Sequence, residues 1–214
     1  MTSQKTTRAY RMRRRAELQE QTRLRITEAA VELHGTLGPA RTSVKAVAER
    51  AGVERATVYR HFPDERALFH ACSGHWRAAN PSPDPAEWAA LLDPDERLRV
   101  ALTDLYAYYA GTEEMLGNLL RDAATVPIVA ELMEGLRVRL DAMRQALLRG
   151  RPERGRARHD VRAALGHALA FATWSSLVRE EGLTQSQAVR LMCAFVAAAG
   201  VPSRGRARRA ARDA

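Results

Sequence analysis

Length, composition and charge exclude several classes of protein. The chain has 214 residues, of which 46% are hydrophobic and 28% charged, so a folded globular protein is predicted and a disordered chain is excluded. No apolar stretch approaches the ~20 residues of a membrane-spanning helix. Two cysteines far apart in sequence, Cys72 and Cys193, exclude a disulfide framework and favour a cytoplasmic location.

The net charge of +9 is concentrated toward the two ends of the chain. Residues 1–62 carry 13 Lys and Arg against 6 Asp and Glu, residues 63–199 carry 16 against 18, and residues 200–214 carry 5 against 1. Lys and Arg that neutralise phosphates release condensed counterions, so a polyanion suits the N-terminal segment. A solvated, arginine-rich surface would give the same imbalance, and charge alone does not separate the two interpretations.

Helix-forming residues dominate the chain, and neither an alternating β-branched pattern nor an Asn-Gly or Asp-Gly hairpin turn occurs. We therefore predict an all-α protein. The first part of the chain is predicted to hold a basic flexible arm and four helices, of which the second and third are short. The arm is predicted at residues 1–15. The four helices are predicted at about 16–37, 43–51, 54–62 and 63–79.

The clearest linker is NPSPDP at residues 80–85, because three prolines in six residues cannot continue a helix. It separates a predicted N-terminal domain, residues 16–79, from a predicted helical body, residues 86–199. The last residues, 200–214, are predicted to form a basic disordered tail. Helical segments of the body are predicted at about 86–92, 94–110, 113–122, 126–149, 159–180 and 184–199.

The stretch TSVKAVAERAGVERATVYRHF, residues 42–62, has the spacing of a helix-turn-helix. A small residue, Ala48, lies four positions before Gly52 and lets a second helix approach closely. The glycine is expected to adopt a positive φ at the turn. Apolar faces on both sides of the glycine would pack with the first helix into a three-helix core. These faces consist of Val44, Val47 and Ala48 on one side and Val53 and Val58 on the other.

With Val58 and Phe62 directed inward, the third predicted helix keeps its polar residues outside, as a helix in a DNA major groove requires. Arginine pairs with guanine or phosphate, and a small residue lets the helix approach the bases. Hydroxyl groups and amides at the start of the second helix suit a phosphate. The predicted DNA-binding residues are Thr42, Ser43, Lys45, Arg55, Ala56, Thr57, Tyr59, Arg60 and His61.

From about Arg23 to Ala71 the chain resembles the TetR-type (TetR/AcrR) transcriptional regulators. The resemblance rests on the stretch quoted above, with its Gly-Val turn and TVYRHF ending, and on the PDERALFHA that follows. It implies a helix-turn-helix head followed by a larger helical body that dimerises and usually encloses a ligand pocket. The family often has a phosphate-contacting lysine near the start of the fourth helix. Glu65 stands there, so either Arg66 takes that role or the contact is absent.

The last two long predicted helices carry apolar stripes that would form a four-helix interface between two copies, as the resemblance implies, or close the core of one copy. A single short recognition helix reads few base pairs, so specific binding favours a two-fold homodimer on a palindromic operator. Thr184 and Gln187 are predicted to form a capping box. The stripes are Val161, Leu165, Ala168, Leu169, Ala172 and Ser176, and Ala188, Leu191, Met192, Phe195, Val196 and Ala199.

Aromatic and methionine residues of the body are candidates for an apolar or aromatic ligand pocket, although the same pattern also builds a plain core. The ligand-binding candidates are Trp88, Tyr106, Tyr109, Met115, Leu119, Met133, Phe171 and Trp174.

Catalytic motifs such as GxSxG, a P-loop, HExxH and a strand-linked GxGxxG are missing from the sequence, so neither an enzyme nor a cofactor is predicted. Cys72 and His75, with His70 nearby, have a metal-like spacing but lack a second ligand pair, and ordinary side chains explain them better. The sequence thus predicts a ligand-released, DNA-binding repressor. A DNA-binding regulator without an inducer is the alternative, and a helical ligand-binding or enzymatic protein with an incidental basic head is a third class.

Overall fold

The structure, a computed structural model, describes residues 2–201 and the side chains of residues 10–201. This part of the chain contains nine α-helices and no strand, which confirms the predicted all-α fold. The helices are α1 (Thr2–Thr36), α2 (Val44–Ala51), α3 (Arg55–His61), α4 (Glu65–Ala79), α5 (Pro94–Asp122), α6 (Pro127–Leu148), α7 (Gly155–Ala168), α8 (Phe171–Ser175) and α9 (Gln185–Ala199). None of the described helices is both long and apolar enough to cross a bilayer.

Two predicted boundaries differ from the structure in the first half of the chain. Helix α1 begins at Thr2, so the segment predicted as an arm is helical from that residue onward. This segment has five arginines, which favour helix, and neither glycine nor proline, so no stop signal occurs near residue 16. Helix α5 continues through Gly111, where a break was predicted, because one interior glycine costs a helix only about 1 kcal/mol. The predicted tail lies outside the described residues beyond Val201.

The single helix predicted at 159–180 is divided. Helix α7 ends at Ala168, Ala170 is extended, and α8 is followed by a π-helical turn, Ser176–Glu180. Two tyrosines of α5 stabilise this break. Tyr106 Oη donates to the carbonyl of Ala168 at 2.9 Å, and Tyr109 Oη donates to that of Leu169 at 2.7 Å. Contacts between residues 60 positions apart thus override local helix propensity.

The described chain forms two compact units that do not follow the order of the sequence. The first comprises the chain up to Pro81 together with Glu113–Met133, and the second comprises Ser82–Thr112 together with the chain from Glu134 on. Residues 113–133 therefore group with the N-terminal segment and not with the rest of the predicted body.

The first unit has two hydrophobic clusters. One unites the apolar faces of α1 to α4, and the other packs Phe69 of α4 against Met115, Leu119 and Val129. Burying a large aliphatic or aromatic side chain stabilises by roughly 1.5–3 kcal/mol, so these residues hold the unit together. Leu37 lies four residues after Leu33, which packs against this cluster, but Leu37 is 43% exposed because the helix ends at Thr36. The first cluster consists of Ile26, Ala29, Ala30, Val44, Val47, Ala48, Ala51, Val58, Phe62, Leu68 and Cys72.

The second unit buries aromatic and aliphatic side chains of α5 to α9, and also buries two arginines. Arg97 donates from Nε to the carbonyl of Leu91 at 2.9 Å and from Nη1 to that of Arg149 at 2.7 Å. These hydrogen bonds satisfy a buried charge with loop carbonyls. The predicted capping box of α9 is confirmed, since Thr184 and Gln187 cap each other's backbone.

Candidate nucleic-acid interface

Helices α2 and α3 are joined by a turn whose geometry follows from two residues. Ser43 caps α2, because its Oγ accepts from the N–H of Ala46 at 3.2 Å. Gly52 ends α2 in the left-handed region, with φ 64° and ψ 42°, as predicted. The N–H of Val53 then donates to the carbonyl of Ala48 at 3.0 Å, which closes the turn and sets the direction of α3.

Helix α3 is fixed to the first unit by its apolar residues and by one arginine of α1. Val58 and Phe62 are buried, as predicted. Arg23 donates from Nη1 to the carbonyl of His61 at 3.0 Å, and its guanidinium lies 4.4 Å from the centre of the Phe62 ring. The sequence alone does not indicate a role for Arg23, because its partner lies 38 residues away. The contact orients the C-terminal end of α3 on the surface.

The outward surface of α3 carries two prearranged side-chain pairs. Arg55 donates from Nη2 to Tyr59 Oη at 3.2 Å, and Arg60 donates from Nη2 to Thr57 Oγ1 at 3.2 Å. Both arginines and Tyr59 are exposed. Each pair leaves further guanidinium N–H groups for a ligand, because an arginine has five. This arrangement suits recognition of base edges or phosphates.

The other predicted DNA-binding residues are accessible in different ways. Ser43, Lys45 and Ala56 are exposed, whereas Thr42 is half-buried and its Oγ1 donates to the carbonyl of Gly38 at 2.8 Å. Lys45 Nζ lies 3.7 Å from Glu49. His61 is half-buried, and burial, assisted by the charges of Arg60 and Arg23, lowers its pKa. His61 is therefore a hydrogen-bonding group and not a positive charge at neutral pH.

Arg66 is engaged within the protein. Asp64 caps α4 by accepting from the N–H of Ala67 at 2.7 Å, which places Arg66 in the first turn. The guanidinium of Arg66 donates to both carboxylate oxygens of Glu131 in α6, at 3.1 and 2.5 Å. The same hydrogen bonds lower the pKa of Glu131. In this structure Arg66 therefore binds a carboxylate, with the same bidentate geometry in which an arginine binds a phosphate.

Three residues of α5 hold the turn between α1 and α2. Asn118 Nδ2 donates to the carbonyls of His34 and Gly35, and Arg121 Nη2 donates to that of Leu37 at 3.0 Å. The buried carboxylate of Asp122 accepts from the N–H of Ala40 at 2.9 Å. Sequence reasoning missed all three, because their partners are main-chain atoms more than 80 residues away. The turn that precedes the DNA-binding helices is therefore positioned by α5.

The same region contains a half-buried histidine and a buried thiol. Cys72 Sγ lies 3.5 Å from His34 Nδ1, and the two face each other from α4 and α1. Burial lowers the pKa of His34 to about 4, against the opposing charge of Asp122, and burial raises the pKa of Cys72 to about 11. His75 is exposed, and no group of three metal-ligating side chains occurs in the part of the chain that the structure describes.

The structure divides the predicted ligand-binding residues between the two units. Met115, Leu119 and Met133 pack in the first unit. In the second unit, three rings form a cluster: the centroid of Phe171 lies 5.3 Å from those of Tyr109 and Trp174, which are 6.0 Å apart. The predicted residues of this unit are Trp88, Tyr106, Tyr109, Phe171 and Trp174.

The polar atoms of these aromatic residues differ in whether they have a hydrogen-bond partner. Trp88 Nε1 donates to Asp104 at 3.0 Å, and the hydroxyls of Tyr106 and Tyr109 donate to carbonyls. Trp174 is fully buried, and its Nε1 has no hydrogen-bond acceptor among the described residues. An unpaired buried donor costs about 1–3 kcal/mol, so this atom is the place in the cluster where an acceptor would be most favourable.

The two predicted apolar stripes are partly buried within the second unit and partly exposed on the surface of α7 and α9. Residues such as Leu165, Met192 and Val196 are buried within the second unit. Leu191 and Phe195, however, are 46% and 45% exposed, and His167 lies against Phe195 with ring centroids 5.7 Å apart. Several exposed or half-exposed positions near these three are small, although Gln187 and Arg190 are exposed as well. The small positions are Ala163, Gly166, Ala170, Ala194 and Ala198.

These features define the class of the protein. A short helix with an exposed, partly basic surface, set by a left-handed glycine turn on a three-helix core, is the helix-turn-helix arrangement of DNA-binding proteins. Residues 26–72 match the family described as bacterial regulatory proteins, tetR family. The predicted resemblance is thus confirmed. No protein with a curated description matches the sequence.

Solved structures of TetR-like regulators share the fold of the chain. A TetR-like transcriptional regulator from Rhodococcus sp. RHA1 is 19% identical, with a TM-score of 0.57 over 82% of this chain and 93% of that one. A TetR transcription regulator from Haloarcula marismortui is 14% identical, with a TM-score of 0.57 over 85% and 97%. NalD from Pseudomonas aeruginosa, described as the secondary repressor of the MexAB-OprM multidrug efflux pump, is 20% identical, with a TM-score of 0.57 over 87% and 99%.

Proposed function

We propose that this TetR-type regulator represses transcription by binding a palindromic operator as a homodimer, and that a small apolar or aromatic ligand releases it. The observation that carries the proposal is the pair of arginines on α3, each fixed by a neighbouring hydroxyl and otherwise free to bind. Arg60 and Arg55 would read guanine or contact phosphate, with Tyr59 and Thr57 beside them. Ser43, Lys45 and Thr42 would position the head on the phosphate backbone.

The homodimer is proposed to form through the exposed face of α7 and α9. Leu191, Phe195 and His167 provide large groups, and the alanines around them permit close approach of a second copy. A face of this kind is self-complementary about a two-fold axis, as an isologous interface requires. The two recognition helices would then reach major grooves about 34 Å apart, or a multiple of that distance.

The proposed ligand site is the cluster of Tyr109, Phe171 and Trp174. Its rings would enclose an apolar or aromatic ligand, and the unpaired Nε1 of Trp174 would donate to an acceptor on that ligand. NalD, described as a repressor of a multidrug efflux pump, supports the repressor role on this fold.

Release from DNA follows from linkage. A ligand shifts the equilibrium only if it binds the DNA-incompetent form more tightly. Tyr109 of the ligand site and Asn118, Arg121 and Asp122, which hold the turn before α2, belong to the same helix, α5. A displacement of α5 would therefore alter the support of the DNA-binding helices.

A regulator without an inducer is the second candidate. The hydroxyls of Tyr106 and Tyr109 are both satisfied within the protein, as expected of core residues that bind no ligand. A screen of apolar aromatic compounds against the operator complex separates the two candidates. Release that Trp174→Phe weakens, without loss of DNA binding, supports the inducer site.

Selection of bound sequences from a random DNA pool, at about physiological salt, tests the main proposal. We expect an enriched palindrome. Arg60→Ala should weaken binding to it by about 1–3 kcal/mol and relax the preference at one position of each half-site. Arg77→Ala provides the matched control, because Arg77 is an exposed arginine of α4, outside α3. Equal affinity of Arg60→Ala and wild type would contradict the assigned recognition helix.

A further inference from the structure

A cavity lined by arginines lies in the second unit, where α6 ends and α7 begins. It is open to solvent and has a volume of about 530 Å³. Four of its seven lining residues are arginines, and none is acidic. The lining residues are Leu148, Arg149, Gly150, Arg151, Pro152, Arg154 and Arg158.

Two of the arginines build the wall of the cavity. Arg151 is buried and donates from Nε to the carbonyl of Leu147 at 3.2 Å and from Nη2 to that of Pro94 at 3.1 Å. Arg154 Nη1 donates to the carbonyls of Arg151, Pro152 and Glu153, at 2.9 to 3.1 Å. These hydrogen bonds fix the loop, so its positive charges do not depend on a ligand for their position.

The other two arginines are not neutralised. Arg149 and Arg158 are exposed, and their guanidinium groups form no hydrogen bond or ion pair with a described residue. The acids near the loop, Asp95 and Glu153, lie 3.1 and 4.0 Å from Arg151. The cavity therefore carries an excess of positive charge that an anion would compensate.

The backbone supports the same chemistry. Arg154 is the N-cap of α7, and its side chain accepts no hydrogen bond from the first turn, so the first N–H groups of the helix lack a side-chain partner. Gly155 follows with φ 54°, and a Cβ at this position would meet no atom within 4 Å. The positive end of the helix dipole thus adds to the positive potential near Arg158, although residues 155–157 themselves do not line the cavity.

We infer that this cavity binds a small molecule that carries two or more phosphate groups. Arg149 and Arg158 would hold the phosphates, and Leu148 and Pro152 would contact the apolar part of the molecule. The arginines surround a single concavity within eleven residues of sequence and do not form an extended stripe, which favours a compact ligand over a nucleic-acid strand. The site is separate from α3 and from the aromatic cluster, and the inference does not depend on the proposed operator.

Isothermal titration of the full-length protein with inorganic pyrophosphate, at low salt, tests the inference. We expect saturable one-site binding that is tighter for pyrophosphate than for orthophosphate. Arg149→Ala and Arg158→Ala should each weaken it about tenfold, because each removes a charge-assisted hydrogen bond. Arg156→Ala is the matched control. It lies on the same first turn, 3.7 Å from Asp160, and does not line the cavity.

Three results would overturn the inference. They are the absence of pyrophosphate binding at millimolar concentration, equal weakening by Arg156→Ala and Arg158→Ala, and equal affinity for orthophosphate and pyrophosphate. A short oligonucleotide that displaced pyrophosphate, and whose own binding was lost in Arg149→Ala, would assign the site to nucleic acid instead. Unchanged thermal unfolding of the variants would show that a loss of binding is not a loss of fold.

Discussion

The two compact units place their polar side chains in opposite ways. The first unit keeps its proposed recognition groups on the surface of α3, where Arg55 and Arg60 are exposed and paired only with neighbours three or four residues away. The second unit buries polar groups among aromatic rings, with Trp174 Nε1 left unpaired. Candidate DNA-recognition residues can therefore be inferred from local spacing in the sequence. A candidate ligand site, by contrast, depends on contacts that only the folded chain creates.

The largest effect is expected where α5 supports the first unit. A Cβ on Gly38 would overlap Arg121 Nη2 and Asp122 Oδ2, and φ there is 92°. We expect Gly38→Ala to lower the free energy of unfolding by about 3 kcal/mol or more, through overpacking and backbone strain together. Unfolding in denaturant measures this change in the free energy of unfolding.

Gly74→Ala is the matched control for this substitution. Gly74 lies within α4, and a Cβ there meets no atom within 4 Å. This variant should be about 0.5–1 kcal/mol more stable than wild type, because alanine favours helix. If Gly38→Ala were as stable as Gly74→Ala, the proposed support of the turn by α5 would be wrong.

The second unit should be most sensitive at its exposed apolar face. Leu191→Glu would place two like charges in the proposed homodimer interface, and we expect the dimer dissociation constant to rise about 100-fold or more. Leu92→Glu changes another exposed leucine of the second unit, outside α7 and α9, and should leave the dimer intact. Sedimentation at several protein concentrations compares the variants. A Leu191→Glu protein that remained as dimeric as wild type would exclude this face.

The half-buried His34 makes the first unit sensitive to acid. The pKa of His34 is about 4 in the folded protein and about 6.5 when unfolded, so the unfolded chain binds more protons between these values. Stability therefore falls as the pH drops from about 6.5 to 4, by roughly 2–3 kcal/mol from this residue. The pH dependence of denaturant unfolding should be shallower over this range for His34→Gln. An unchanged slope would contradict the assignment.

Individual residues show which features of the fold and site can be predicted from the sequence and which cannot. The left-handed turn at Gly52 and the inward direction of Val58 and Phe62 are marked by the spacing of residues within one stretch, 42–62, and spacing predicted them. The clamp by Arg23, the support by Asn118 and the break after Ala168 depend on partners 38 to 84 residues away. No local pattern encodes such contacts. For the same reason, the predicted ligand-binding set mixed Met115 of one unit with Trp174 of the other.

The smallest expected effect tests whether Arg66 contacts DNA phosphate in place of the lysine that the family often has at the position of Glu65. The Arg66–Glu131 pair is more than half exposed on both sides, so Glu131→Gln should change stability little. It would, however, free Arg66 for a DNA phosphate. If Arg66 replaces the lysine that the family often has there, Glu131→Gln should raise operator affinity and steepen its log–log salt dependence by up to about 0.9.

The double variant Arg66→Ala/Glu131→Gln separates this contact from a general change of charge. Glu131→Gln removes one negative charge in both proteins, so any effect of long-range attraction is shared, while only the single variant retains a guanidinium at position 66. Operator affinities over a range of salt concentrations should therefore give the steeper slope in the single variant alone. Equal slopes in the two variants would mean that Arg66 does not contact phosphate, and that Glu131 holds it solely as part of the first unit.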